Sequence, residues 1–543
     1  MGGLVMEGVG FIYASVGPMN RRKTLAYALV GVIVLSGALA VVDPAGASLR
    51  GWSAYAIMNA AGVIALALVW AWLAGRDGPR WLLVCVLVGL VMRAGVAVAL
   101  ARGLPVFGYD EKVQRAGYVF FDAYKRDTDA WAVSRTDRSL WLELTEPRST
   151  DQYGGMLFLS AAIYRTLTPD AHRPLLISLL TAFASTVGIL FSWAFAEKTF
   201  GAKASIFTAW VVAIYPEGVL LASSQMREPF VLTSVAAALL GYALLREGRS
   251  RSGTTTILAA GASVLLISPP YALLTLTTGF LAWLWEGRAG WRRTLSVALP
   301  ALAVAALGII LLVQAWTGLR EIGGAPFETL FRWWENAGAQ WRLNLLEEQS
   351  GWISTLFNVI PGWAQLPFVV FYGLVQPLLP AAIAYPGAPI WRAIAIWRSV
   401  GWFVLLPFIL YAPFPAFRIG GWRSLQAYLA VLVWSGAMLA AYRATSYQWD
   451  SPRYRAVFLT AQAALAAWAW VHARQARSPW LARSAILLGI PTLALLAWYL
   501  GRYYNWVSVG LIAGMGGSLL IDAALIAWWL TRGPRSAALA PKG

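Results

Sequence analysis

The run from Trp81 to Glu111, WLLVCVLVGLVMRAGVAVALARGLPVFGYDE, decides how the whole chain is read. Its first part, Trp81 to Leu100, has the roughly 20 apolar residues that a helix needs to cross a bilayer. It delivers the chain to an acidic pair, Asp110 and Glu111. The polar segment 101–173 then carries the densest acidic cluster in a sequence that is 59% hydrophobic and only 13% charged: Asp110, Glu111, Asp122, Asp127, Asp129, Asp137, Glu143, Glu146 and Asp151. Carboxylates are scarce elsewhere, so acid or base chemistry has few places to sit, and a loop held by apolar helices is one of them.

Outward from this run, the chain reads as an all-α polytopic membrane protein. Spans of the required length are expected at Thr24–Val42, Tyr55–Ala74, Leu175–Ala196, Lys203–Leu221, Phe230–Leu245 and Thr294–Gln314. Later ones are expected at Ser399–Ala416, Ser424–Tyr442, Ala456–Val471, Ala485–Leu500 and Trp506–Leu530. Arg21-Arg22-Lys23 precedes the first of these, with no small-residue cleavage site before it, so it reads as a helix and not a signal peptide. Thr254–Glu286, broken by Pro269-Pro270 and flanked by arginines at both ends, reads as a two-helix hairpin. Gln376–Pro386 and Met156–Leu167 are read as re-entrant or interfacial, because counting either as a crossing would turn later basic loops outward. The result is about 14 spans with both termini cytoplasmic.

Charge parity supports that topology. The basic clusters at 21–23, 76–80, 198–203, 246–251, 288–293, 418–423, 474–483 and 532–542 all fall on the cytoplasmic side. Most carboxylates, including Glu217, Glu228, Glu335 and Asp450, fall on the other. Five segments follow: an N-terminal three-helix part, 1–100; the acidic loop, 101–173; a transmembrane core, 174–314; an aromatic external loop with the re-entrant stretch, 315–398; and C-terminal spans, 399–543. Tryptophans and charges are mixed from Phe327 to Trp363, which suits interfacial helices or a lid.

Composition also excludes classes. One cysteine, Cys85, and two histidines, His172 and His472, rule out a disulfide framework, a thiolate metal site, a Ser/His/Asp hydrolase and a histidine relay. Neither GxGxxG nor GxxxxGK occurs, so no nucleotide cradle of those types is visible. The net charge of +18 lies in short clusters between apolar runs, which fits a bilayer and not a nucleic acid.

The order of several motifs resembles the GT-C glycosyltransferases, polytopic enzymes that use a lipid-phosphate-linked sugar. The resemblance is strongest to the bacterial branch related to protein O-mannosyltransferases and aminoarabinose transferases. The matching pieces are Tyr109-Asp110-Glu111, Tyr153-Gly154-Gly155, Arg173 opening a span, Lys198-Thr199-Phe200-Gly201, Ser223 to Glu228, and Pro452-Arg453-Tyr454-Arg455. They cover about residues 100 to 290 and 445 to 475; two spans stand before the acidic loop beyond the family's pattern, and the second half of the chain aligns with nothing. The resemblance implies Asp110 as catalytic base, with Glu111 beside it. It also implies Arg453, Arg455, Arg227 and Arg173 as contacts of the donor phosphate, and Tyr109, Glu228 and Tyr454 as cavity lining. The implied partners are a polyprenyl-phosphate-linked sugar, a glycan, lipid or protein acceptor, and the bilayer; a divalent cation is compatible, though no metal ligands are assigned.

The residues themselves keep simpler readings open. Asp110 also fits a solvated or capping acid, and Glu111 a surface ion pair with Arg115. Arg453 and Arg455 also suit snorkelling anchors, although their planar guanidinium forks match phosphate oxygens. Arg227-Glu228 also reads as a local pair between helix ends. Arg93 and Asp522 are costly within spans and are candidates to pair with each other. A transporter or flippase for a lipid-linked saccharide would use the same arginines without a base, and a non-catalytic envelope scaffold is a third reading.

Overall fold

The computed structural model describes residues 21–75, 78–144, 153–287, 351–444, 449–506 and 508–531, with short helical pieces between 299 and 307. Most of the expected span Thr294–Gln314 and most of the aromatic segment 327–363 therefore lie outside the described residues. Among those described there is helix and no strand.

The first part runs α1 (Arg21–Val42), α2 (Leu49–Leu73), α3 (Arg80–Phe107), the single turn α4 (Lys112–Arg115), α5 (Phe121–Ser134) and α6 (Gly155–Leu167). The core follows as α7 (Pro174–Phe200), α8 (Ala202–Ile214), α9 (Pro216–Ala222), α10 (Glu228–Arg246), α11 (Ser250–Leu265) and α12 (Pro269–Glu286). Next come α13 (Gly351–Val359), α14 (Gly362–Val375), α15 (Leu379–Ala384), α16 (Pro389–Tyr411), α17 (Pro413–Gly420) and α18 (Leu425–Arg443). The chain closes with α19 (Asp450–Ala456), α20 (Leu459–Gln475), α21 (Trp480–Tyr504) and α22 (Leu511–Thr531).

The sequence sets many of these boundaries locally. Pro174, Pro216, Pro229, Pro269 and Pro389 stand in the first turn of their helices, where a missing N–H leaves no bond unmade. Ser48 and Ser424 cap α2 and α18 by accepting from the amides of Gly51 and Ala427, at 3.0 and 3.1 Å. Gly201, at φ +82°, closes α7.

Among the described residues, eight helices are long and apolar enough to cross a membrane, and ten if α8 with α9 and α19 with α20 each count as one bent span. The bends are 48° and 75°. The first falls at Tyr215-Pro216, where proline cannot donate to the carbonyl four residues back. Burial divides centre from rim. In the most apolar stretch of α7, 78% of residues are covered by protein, against 6% in α21. The central core joins Leu190, Phe195, Leu239, Tyr242, Leu429 and Leu465 from α7, α10, α18 and α20.

Met156–Leu167 forms α6, too short to span, and packs Ala161 and Tyr164 against Ala130 and Val133 of α5. Glycines make its approach feasible. A Cβ on Gly154, at φ +70°, would lie 1.6 Å from the Glu143 carbonyl oxygen, and one on Gly155 would lie 2.0 Å from that of Leu266. The glycines of Tyr153-Gly154-Gly155 are thus explained by close backbone contact.

Candidate functional site

The acidic loop hangs from the end of α3 and is pinned by one glutamine. Gln114, on α4, accepts from the backbone N–H of Tyr109 at 2.6 Å and from the indole N–H of Trp391 at 2.6 Å, while its amide donates to Glu111 at 3.2 Å. A Cβ on Gly108 would come within 2.6 Å of Gln114 Oε1, so glycine makes room for this plug. The Tyr109 hydroxyl accepts from the Ala388 amide at 3.1 Å. Asp110 projects outward with its side chain 86% exposed and accepts from Arg115 Nε at 2.5 Å. That bond, with the carboxylate charge behind it, raises the affinity of Arg115 for its proton. The simpler reading of Glu111, a surface ion pair with Arg115, is not what forms. Because α4 is a single turn that starts at Lys112, Glu111 is its N-cap and turns instead to Gln114.

A second group forms at the start of α19. Arg453 donates from Nε to Glu228 at 2.5 Å and from Nη1 to Asp122 at 2.9 Å, with Asp450 at 3.6 Å. Arg453 and Glu228 are buried, whereas the side chains of Asp122 and Asp450 are 47% and 40% exposed. One edge of the guanidinium is therefore sealed, and the other is covered only by acids that water reaches. The Tyr454 ring lies 5.6 Å from the Arg453 guanidinium, and Arg227 lies between the rings of Tyr153 and Tyr271 at 5.8 and 5.9 Å. Arg455 points the other way, over the Trp402 ring at 3.4 Å, and donates to the carbonyls of Leu374 and Gln376 at 3.2 and 2.7 Å.

A chain of aromatic contacts joins the two groups. Trp391 meets Trp449 edge-on at 4.8 Å, and Trp449 immediately precedes Asp450. Beneath it Arg398 stacks at 4.1 Å, donates to the Trp449 carbonyl at 3.1 Å, and holds Glu217 through two bonds of 2.6 and 3.0 Å. Neither Asp122 nor the Glu217–Arg398 pair is distinguishable in the sequence, since the latter partners lie 181 positions apart.

Arg173 is not part of this assembly. It is buried against Asp43, Gly46 and Ser48, donating at 3.2, 2.9 and 2.9 Å, and so ties the opening of α7 to the turn between α1 and α2. Burial pushes the Asp43 carboxyl above its ordinary range, against the opposing pull of Tyr55, the Ala45 amide and Arg173. Arg93 and Asp522 do not meet. Arg93 is satisfied by Ser185 and by the carbonyls of Gly89, Val212 and Ala213. A further buried acid, Asp127, accepts from the hydroxyls of Tyr118 and Tyr164 and lies 2.6 Å from His172 Nε2. Burial and then the Asp127 charge hold the Tyr118 phenol well above its ordinary range.

Among the described residues, no group of three or more His, Cys, Asp or Glu side chains could hold a metal ion. The three carboxylates that do converge, Asp122, Glu228 and Asp450, have Arg453 between them.

No protein-family model matches the chain. No curated protein matches it either. Solved structures similar to it are archaeal oligosaccharyltransferases. The oligosaccharyltransferase AglB from Archaeoglobus fulgidus, in complex with an inhibitory peptide and a dolichol-phosphate, aligns at 16% identity and a TM-score of 0.35. That alignment covers 81% of this chain and 54% of the other. The apo form of the A. fulgidus oligosaccharyltransferase aligns at 14% identity and a TM-score of 0.34, covering 83% and 58%. A form tethered to an acceptor peptide gives 14%, 0.35, 81% and 54%. The chain spans somewhat over half the length of the structures it matches.

Proposed function

We propose that this chain is a multi-pass membrane glycosyltransferase that moves a sugar from a polyprenyl-phosphate donor to an acceptor hydroxyl on the extracytoplasmic face. The reading keeps about 14 spans and the five segments set out above, with the acidic loop and the 315–398 segment outside. One observation carries it. An exposed carboxylate, Asp110, is held on a pinned loop that is tied through Gln114, Trp391 and Trp449 to a buried arginine, two of whose acid partners are partly exposed.

In this scheme the donor phosphate displaces Asp122 from Nη1 of Arg453 and takes its place. Asp110 accepts the proton of the acceptor hydroxyl as that oxygen bonds to the anomeric carbon. The anomeric carbon–oxygen bond breaks, and its electron pair leaves on the polyprenyl phosphate, whose charge Arg453 stabilises. Glu111 orients the acceptor, Tyr109, Glu228 and Tyr454 line the cavity, and Arg227 and Arg455 support the cationic field. Arg173, locked to Asp43, takes no part.

The test uses purified full-length protein and polyprenyl-phosphate-linked sugars, with release of polyprenyl phosphate as the readout. Asp110→Asn should lower turnover by about 100-fold to 10,000-fold, the usual share of a general base, while donor binding persists. Glu111→Gln should cost less. Near-normal transfer by the Asn variant removes the base assignment, and movement of intact donor across vesicles without cleavage points to a transporter.

A further inference from the structure

We infer that the turn between α21 and α22 is a binding site for the phosphate headgroup of an anionic phospholipid, independent of the proposed transfer site. Its position follows from the chain path. Beginning just after the Arg453 segment, α20 runs away from it, the short turn 476–479 reverses direction, and α21 returns. Tyr499, near the end of α21, packs with Tyr372 and Leu378, beside the Gln376 carbonyl that holds Arg455. Residues 505, 506 and 508–510 therefore lie on the face that carries Arg453.

Both helices of this hairpin are largely uncovered by protein, with Leu493, Ile512, Leu519 and Leu520 exposed, the surface that a bilayer would cover. At its tip is a cavity of about 530 Å³ lined by Trp498, Gly501, Arg502, Asn505 and Ser508. Arg502 is its one cationic side chain, and among the described residues no acid forms an ion pair with it. Its guanidinium instead lies 5.4 Å from the Trp498 ring and 5.9 Å from that of Tyr503.

Two features make this arginine unusual. Basic residues in the chain collect at the opposite face, as Arg474, Arg477 and Arg483 do at the other end of α21. Other arginines on its face, among them Arg398, Arg453 and Arg455, have protein partners. Arg502 thus offers a planar, unspent donor fork, the geometry that suits phosphate oxygens. Asn505 and Ser508 add short polar side chains, and Gly501 leaves room. Trp498 and Trp506 beside it are of the residue type that membrane–water interfaces enrich. Because the hairpin below is sheathed in lipid, a phospholipid reaches the cavity along the membrane plane, with its acyl chains lying on the exposed leucines and isoleucines.

The full chain, purified in detergent and offered equal amounts of phosphatidylglycerol and phosphatidylcholine, can be read by native mass spectrometry. Wild type should retain phosphatidylglycerol in preference. Arg502→Ala should weaken that retention about tenfold or more, the effect of losing a charge-assisted contact, and Arg502→Lys should restore part of it. Ser508→Asp leaves the arginine in place but adds a negative charge to the cavity, and should also expel the lipid. Arg423→Ala, at the opposite face, should change nothing. Equal retention of the two lipids, or unchanged retention by both Arg502→Ala and Ser508→Asp, overturns the proposal. Arg502-dependent binding of inorganic phosphate with no preference between the lipids overturns it too, by making the cavity a site for the free anion. None of these readouts depends on glycosyl transfer, so the two proposals stand or fall separately.

Discussion

Arg173 and Arg453 are both buried arginines at the start of a helix that faces carboxylates, yet they occupy different physical situations. Around Arg173 the acid is inside: Asp43 is fully covered, and the remaining donors reach the Gly46 carbonyl and the Ser48 hydroxyl, which hold no charge to exchange. Around Arg453 only Glu228 is inside, while Asp122 and Asp450 are half open to water. A closed pair has no vacancy for a ligand and acts as a bolt. An arginine shared between a buried acid and two hydrated ones can exchange a partner, because the displaced carboxylate regains water at little cost. The exposure of the partners separates a structural cation from one fit to bind an anion.

The largest effect should come from breaking the bolt. Arg173→Ala strands a buried carboxylate and should destabilise the protein by about 3–5 kcal/mol, seen as a large fall in the thermal unfolding midpoint in detergent. A stable Arg173→Ala variant that loses only donor affinity would dissolve the contrast. Arg453→Ala should weaken donor binding about tenfold or more, and Lys should rescue only part because the planar fork is lost. Its unfolding midpoint should fall as well, since the fully covered Glu228 loses the guanidinium that it bonds.

Asp122→Asn removes the displaceable partner and sharpens the comparison. It should cost about 1 kcal/mol of stability or less and leave donor affinity equal or tighter by titration. Weaker binding would make Asp122 a ligand and not a placeholder. The smallest effect belongs to Arg115→Ala. Its pair with Asp110 is fully exposed, so the unfolding midpoint at physiological salt should stay where it was.

Much of the architecture was legible, because apolar run length and first-turn prolines act locally. The break at Pro269-Pro270 follows from adjacent residues, whereas the bend at Pro216 falls inside the stretch read as the single span Lys203–Leu221, and the status of α6 came from the parity of distant basic loops. The site was legible only as a set of charged residues. Which acid faces which arginine is decided by packing across 130 positions for Arg173 and 225 for Arg453, and no spacing rule reaches that far. Even over four positions the alternative pairing of Glu111 with Arg115 is not the one formed, because a one-turn helix does not present the side-chain rows of a longer one. Arg93 and Asp522 were matched by sign alone, whereas backbone carbonyls were the actual partners of Arg93.

That last arrangement bears on how the protein is made. Pro216 has no N–H for the Val212 carbonyl, and the guanidinium of Arg93 takes that bond and the one at Ala213. These acceptors are synthesised some 120 residues after Arg93. At the moment α3 enters the bilayer, its arginine is an unpaired charge that costs about 2.5–3.5 kcal/mol on the insertion scale. The leucines and valines of Trp81–Leu100 must offset that deficit by themselves until α8 arrives. Their length and greasiness serve the nascent chain as much as the finished fold, and a Leu→Ser exchange on the lipid side of α3 should lower insertion yield before it alters anything in the mature protein.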